Sequence, residues 1–505
     1  MGRLSLVRLA TLASVAALAI GACGGGTGTA TPSSVKPTVA PSVAPTERPP
    51  VVILPLYPTA HIVVQWFVGL GPGTNPDQMA LEQQVVSDFN ALQDKRTDGI
   101  EPTLLSFQVV QNNLATDILK TEIAANQPPD LIGPLRIEDM AGLSGTFLDM
   151  TPLIQATGYD MSQYPPAVLN TMRDPRTGAL LGLPYAVYPS YIFYNKDLFD
   201  AAGLSYPPTK VGDKYTLDGK QVDWNWDTVR TLAMRLSFDE TGRIADQPSF
   251  DPTSQVQFGF EFQDTEGRAL GSAFGSGSFV APDGRTAQSP DAWKAAWSWY
   301  YNGIWTDHFI ATDAERNSDL LAWGNPIASG HVAMGYMSQR YTCCMLGDTS
   351  LANALGKHWD IAPMPANSAG VTTAPVDMDT FAIYKNSPAP DRAFEAMTYI
   401  MNRMDLLAAY GGTPATGDRL KFFHDNVDPQ LARQFPGNKV NWQVAVDMEA
   451  YAEVPNHQAE LSNNTKAVAD YNRVFSTLAA TKSLNMNAVF RRVTTALQAD
   501  FNAAT

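Results

Sequence analysis

Positive charge, cysteine and histidine are all scarce in this 505-residue chain, and each scarcity excludes a class of function. Lys and Arg together number 35 against 50 Asp and Glu, a formal net charge of −15. A surface that acidic repels phosphate backbones and anionic lipid headgroups, so no nucleic-acid partner is expected. Three cysteines cannot build a disulfide scaffold or a Cys-rich zinc or iron–sulfur module. Six histidines are scattered from His61 to His457, no two at metal-ligand spacing, and there is no H-E-x-x-H. A G-x-S-x-G elbow and a G-x-x-x-x-G-K-[ST] loop are also missing. No catalytic residue, metal or cofactor is therefore expected. A glycoside hydrolase, which needs only two carboxylates, stays open as the alternative.

What is present is material for cores. Hydrophobic residues make up 45% and charged residues 17%, enough at this length for two or three domains or one two-lobed body. The amino terminus reads differently. Arg3 and Arg8 precede the apolar stretch Leu9 to Ile20, which is shorter than the roughly 20 residues a bilayer span needs. Residues 1–22 thus read as an export signal, and Ile20-Gly21-Ala22-Cys23 resembles the bacterial lipobox, which implies lipidation at Cys23. Residues 23–60 are rich in Gly, then Pro, Thr, Ser and Val, and read as an extended tether. The body is expected to work just outside a membrane, held there by its lipid.

His61 to Val68 reads as a strand. A Gly-Leu-Gly-Pro-Gly turn follows, and then a helix start with Thr74 or Asn75 as cap, Pro76 first and Leu81, Val85, Phe89 and Leu92 as its stripe. A strand at Thr103 to Val110, a helix near Ala115–Ala125 and a strand at Asp130–Ile132 come next. Alternating strands and helices predict an α/β fold with a largely parallel sheet. Later helices are expected at Asp291–Tyr301, with Trp293 and Trp297 as core, at Asp391–Met404 and at Asn487–Phe501. The carboxylate-rich stretch Asp239 to Asp251 lacks EF-hand spacing and reads as a solvated loop. Cys343 and Cys344 are adjacent, so both a strained vicinal disulfide and two thiols stay open.

Several segments, in order, resemble the family 1 extracellular solute-binding proteins, the maltose-binding group that delivers sugars to ABC importers. Gly182-Leu183-Pro184-Tyr185 runs on to Tyr194-Asn195-Lys196-Asp197-Leu198-Phe199, Ala202-Gly203-Leu204 and Pro207-Pro208. Ser329-Gly330-His331-Val332-Ala333-Met334, Trp359 to Pro365 and Thr413-Pro414-Ala415 match later motifs. The resemblance implies a two-lobed periplasmic-binding-protein-like fold of type II with three interlobe crossovers, near Val187–Ser190, near Asp377–Thr380 and within 435–455. One lobe would hold 61–186 and 380–440, the other 191–376 and 450–505. It implies a monomer that captures a carbohydrate in the interlobe cleft and hands it to an ABC permease, with a sensor or adhesin as a further alternative.

A sugar site needs aromatic platforms and planar polar groups. Trp66, at the carboxyl end of the first strand, is either a ligand platform or sheet-end core. Tyr185 and Tyr188 stand at the first crossover, and Trp226 precedes a helix either as packing or as ligand contact. The resemblance adds Arg136, Glu138, Tyr336, Arg340, Asp377, Asn456 and His457. Arg340 stands where the family has a Trp, and would suit a charged or uronic substituent. The lipobox generates the first prediction. Cys23→Ser should release the protein into the soluble fraction or leave its precursor unprocessed, as fractionation and intact mass would show. A processed variant still bound to membrane would contradict the anchor.

Overall fold

The structure is a computed structural model that describes residues 61–174, 177–263, 266–322, 326–342 and 358–504. The export signal, Cys23 with its tether, and the Cys343–Cys344 pair lie outside the described residues.

Strand β1, Ile62–Val68, alternates as a half-buried strand should. Val64, Trp66 and Val68 enter one core while Phe67 enters a smaller cluster on the opposite face. Gly69 then turns the chain at φ +143°, where a Cβ would lie 2.2 Å from the Val110 carbonyl oxygen. Helix α1, Pro76–Gln93, starts with Asn75 as its cap and Pro76 in its first turn. The Gln78 side chain reaches back to accept from the amides of Gly73 and Asn75. Val85 and Phe89 are buried as expected, but Leu92 is 56% exposed. The buried row advances by four to Gln93 instead, whose amide takes the Thr103 N–H and donates to Glu395.

Strand β2 (Thr103–Val109), helix α2 (Asn112–Ala124) and strand β3 (Leu131–Arg136) complete the amino-terminal unit. The later strands are β4 (Leu183–Asn195), the hairpin β5–β6 (Lys214–Leu217 and Lys220–Asp223), β7 (Phe238–Asp239), β8 (Gln255–Phe262), β9 (Val332–Ser338), β10 (Trp359–Ala362) and β11 (Val376–Ile383). Nine strands form one sheet in the order β2-β1-β3-β11-β4-β9-β8-β7, with β10 also on β4. The expectation of a largely parallel sheet is corrected here. β1 runs parallel to β2 and β3, and β8 to β9, but β11 is antiparallel to β3 and β4, and β4 to β9 and β10. The reversals come at the middle of the sheet, where β11 runs against both β3 and β4, and β4 against β9.

All 13 residues of β4 are buried. Its first half pairs with β11 and sends Leu183, Tyr185 and Val187 into the core of β1–β3. Its second half pairs with β9 and sends Tyr191 to Tyr194 into a second, larger core. That second core also takes Phe423, Leu431, Phe435 and Val440 and the inner faces of the helices Asp291–Trp305, Asn464–Ala480 and Met486–Ala503. The carboxylate-rich loop after β7 is organised by one side chain. The Asp239 carboxylate accepts from the amides of Thr241, Arg243 and Asp251 and from the Thr241 hydroxyl. Those bonds, the Thr241 hydroxyl first, hold its pKa down to about 2. Among the described residues no helix is long and apolar enough to cross a membrane.

Trp297 shows how the second core is locked. It is 1% exposed, donates its indole N–H to the Gly267 carbonyl at 2.8 Å and meets the rings of Phe475 and Phe490 at 4.9 and 5.7 Å. Trp297→Ala should cost about 3–5 kcal/mol, the range for a deleted buried Trp. Denaturant unfolding followed by fluorescence would read this as an earlier transition of the second core. A loss below about 1 kcal/mol would contradict this packing, because only collapse of the vacated space could make the truncation so mild.

Candidate functional site

Beside β4, the strand that passes from one core to the other, β11 carries a row of charge. On β11, Asp377 and Asp379 stand two residues apart and therefore on one face of the strand. Register sets Asp377 opposite Tyr188 of β4, and Asp379 opposite both Ala186 of β4 and Arg136 at the end of β3. Carboxylates this enclosed, at 8% and 1% exposure, are tolerable only with partners. The neighbouring segments provide them.

Asp379 accepts from the Tyr188 hydroxyl at 2.8 Å and from Arg340 Nη2 at 3.1 Å. Arg340 lies on the single 3-10 turn Gln339–Tyr341 that ends β9, and its guanidinium covers the Tyr188 ring at 4.4 Å. Asp377 accepts from Ser338 Oγ at 2.7 Å and from Gln458 Nε2 at 3.2 Å, with Arg340 Nε at 3.9 Å. On the third segment His457 faces Asp377 at 3.7 Å and meets Glu453 at 2.6 Å. Asn456 donates to the Val376 carbonyl and to Glu453. From the other side, Arg136 caps the short helix α3 (Ile137–Gly142) and pairs with Glu138 at 2.7 Å and Asp139 at 2.8 Å.

The charges tune one another. Burial works against Arg340, but Asp379, Tyr188 and Asp377 outweigh it and hold the guanidinium charged. Burial raises Glu138 above the usual carboxylate range; Arg136 opposes the rise, and Asp139 and Asp377 add to it. Asp139 is raised by burial as well, against the pull of Arg136. For His457, burial pulls down while Glu453, and then Asp377, push the imidazole up to about 9.

Seven residues expected at the site are thus brought together: Arg136, Glu138, Tyr188, Arg340, Asp377, Asn456 and His457. Four others are placed elsewhere. Trp66 is fully buried between Phe107 and Phe381, at 6.1 Å from each ring, and gives its indole N–H to the Gly133 carbonyl. It stands two residues before the strand end, on the inward face. Tyr185 packs edge-on against Phe381 and Tyr410 and donates to the Arg403 carbonyl. Trp226 is stacked on Phe274 at 4.2 Å with its N–H on the Ala273 carbonyl. Tyr336 is stacked on Phe262 at 4.7 Å and accepts from Ser190. Asp379, Asp139, Glu453, Ser338 and Gln458 belong to the cluster and were missed. Asp379 had a signal, since a second acid two positions after Asp377 on a strand must share its face. A separate cavity of about 410 Å3, lined by Lys210, Arg419, Glu449 and Tyr451 among others, includes none of these residues.

Because the His457 pKa is raised from 6.5 to about 9 in the folded protein, its stabilisation is complete below pH 6.5 and is lost as the pH rises through about 9. The melting temperature of the wild type should fall over that window. In His457→Gln the fall should be smaller, which differential scanning fluorimetry across pH would check. Equal slopes for the two proteins would contradict a charged His457 between Glu453 and Asp377.

A family profile described as bacterial extracellular solute-binding protein matches residues 84–418, more than half of the chain. No curated protein matches the chain in sequence. Among solved structures, UspC of Mycobacterium tuberculosis is 20% identical with a TM-score of 0.63, over 88% of this chain and all of its own. A sugar transporter protein from Rhizobium etli in an open conformation is 16% identical with a TM-score of 0.64, over 87% of this chain and 99% of its own. The sugar-binding protein MalE of Xanthomonas citri is 14% identical with a TM-score of 0.62, over 87% and 98%. At such identities the likeness is one of fold, and it is the two-lobed α/β fold of these proteins.

Proposed function

The chain belongs to the bacterial extracellular solute-binding proteins, and from that membership we propose that it captures a carbohydrate between its two cores and delivers it to an ABC import permease. One observation carries the reading: Tyr188, Arg340 and His457, from three separated segments, meet Asp377 and Asp379 beside β4, with Arg136 of a fourth opposite Asp379 in register and holding Glu138, and Asn456 bonded to the Val376 carbonyl. Polar side chains fixed in this way offer sugar hydroxyls donors and acceptors whose positions are set before binding. The structural relatives include a sugar transporter protein and a sugar-binding protein, which favours a sugar over other solutes.

In this reading the first lobe is built on β1–β3 and the amino-terminal half of β4, and the second on its carboxyl-terminal half. Segment 423–440 goes with the second lobe, a choice supported by the packing of Phe423, Leu431 and Phe435. Closure would turn on β4, β11 and the segment around 453–458, the three connections that carry the cluster. No bond is made or broken; the ATPase is another chain. The lipid at Cys23 and its tether keep the monomer near the permease.

A thermal-shift panel of mono- and oligosaccharides tests the proposal. A cargo that binds only the folded state should raise the melting temperature by mass action. Arg340→Ala should weaken that cargo at least tenfold by calorimetry, and no new reducing ends should appear on incubation. Sugar turnover, or binding unaffected by Arg340→Ala, would contradict it.

A further inference from the structure

Resting on the carbohydrate reading above, we infer that the cargo is a sugar bearing a cationic group, as an amino sugar does, and that this group seats against Glu138. The cluster holds three cationic side chains, Arg136, Arg340 and His457, against the five carboxylates Glu138, Asp139, Asp377, Asp379 and Glu453. Each cation is already engaged by two acids: Arg136 by Glu138 and Asp139, Arg340 by Asp379 and Asp377, His457 by Glu453 and Asp377. An anionic sugar such as a uronate would have to compete with those acids for every cation. The expectation that Arg340 suits a uronic substituent therefore loses its basis.

Exposure decides which acid a ligand meets. The Asp379 and Glu453 side chains are at 1% and 0% exposure, while that of Glu138 is 45% exposed. Glu138 is also raised above its ordinary range, by burial first, with Arg136 and Arg340 opposing and Asp139 and Asp377 adding to the rise, within a cluster whose acids are in excess of its cations. An ammonium group placed there would relieve that excess. Two further buried atoms in the cluster, Nε2 of His457 (3.7 Å from Asp377) and Oε2 of Glu453, have no hydrogen-bond partner among the described residues, which marks the polar network as incomplete. Stacking offers little competition for the role: Arg340 covers the Tyr188 ring, and Trp66, Tyr185, Trp226 and Tyr336 are packed into the cores. The formal charge of −15 would further concentrate cations around the protein.

The test is calorimetry on the purified protein with four matched probes: glucosamine, N-acetylglucosamine, glucose and glucuronate, each as monosaccharide and as β-1,4-linked oligomer. Galactosamine and mannosamine are included beside glucosamine. An amino sugar should bind at least tenfold tighter than its N-acetylated and neutral counterparts at pH 7 and low salt. Raising the salt should narrow that gap. Glu138→Gln, checked for an unchanged melting curve, should shrink the ratio between the amino and N-acetyl forms. Neutral or anionic probes binding as tightly as the amino forms would overturn this inference and leave carbohydrate capture standing. Failure of every probe to bind would overturn both.

Discussion

Two carboxylates on β11, set beside the strand β4 that serves both cores, constrain much of what surrounds them. Asp377 and Asp379 are enclosed where β11 lies between β3 and β4, and unpaired charge at such a place would cost several kcal/mol. Their partners therefore have to come from everything that passes nearby. Tyr188 comes from β4, Arg340 and Ser338 from the end of β9, and His457 and Gln458 from the carboxyl-terminal segment. The result is a polar junction beside β4, the strand that serves both hydrophobic cores. Removing one partner would leave a charge stranded, so the junction's geometry is held by the cost of breaking it.

The same constraint separates packing from recognition. Apolar burial builds two cores that need no ligand, with Trp66 in one and Trp226 and Tyr336 in the other. What remains reachable in the junction is polar, with the side chains of Arg136, Glu138 and Arg340 about a third to a half exposed. If a sugar is held there as proposed, the junction would discriminate by charge and hydrogen-bond geometry, with the Tyr188 ring as a support beneath Arg340.

Local patterns were legible in the sequence where chemistry is local. Strand β1, the helix start at Asn75–Pro76 and the helices Asp291–Trp305, Pro390–Met401 and Met486–Ala503 follow from spacing alone, whereas the helix Asn464–Ala480 was not foreseen. Motif resemblance carried the fold and gathered seven junction residues from distant segments. Illegible were features fixed by register over long separations. Whether Trp66 points to a cleft or to a core depends on where β1 ends and on Gly133, whose φ of +155° and missing Cβ let β3 lie close against Thr380 and Phe381. The direction of β11, and with it the role of Asp379, depends on pairing with strands some 190 and 240 residues earlier. Leu92 and Gln93 differ by one helical position, and only the amide's partner at Thr103 decides which faces inward.

The most direct measurement of the central claim is a crystal structure of the protein with a sugar bound. The account predicts the ligand between Arg136–Glu138 and Arg340, contacting residues joined to Asp377 and Asp379, with Trp66 and Trp226 still enclosed in their cores. A sugar found elsewhere, stacked on an aromatic ring while that junction stays untouched, would contradict it.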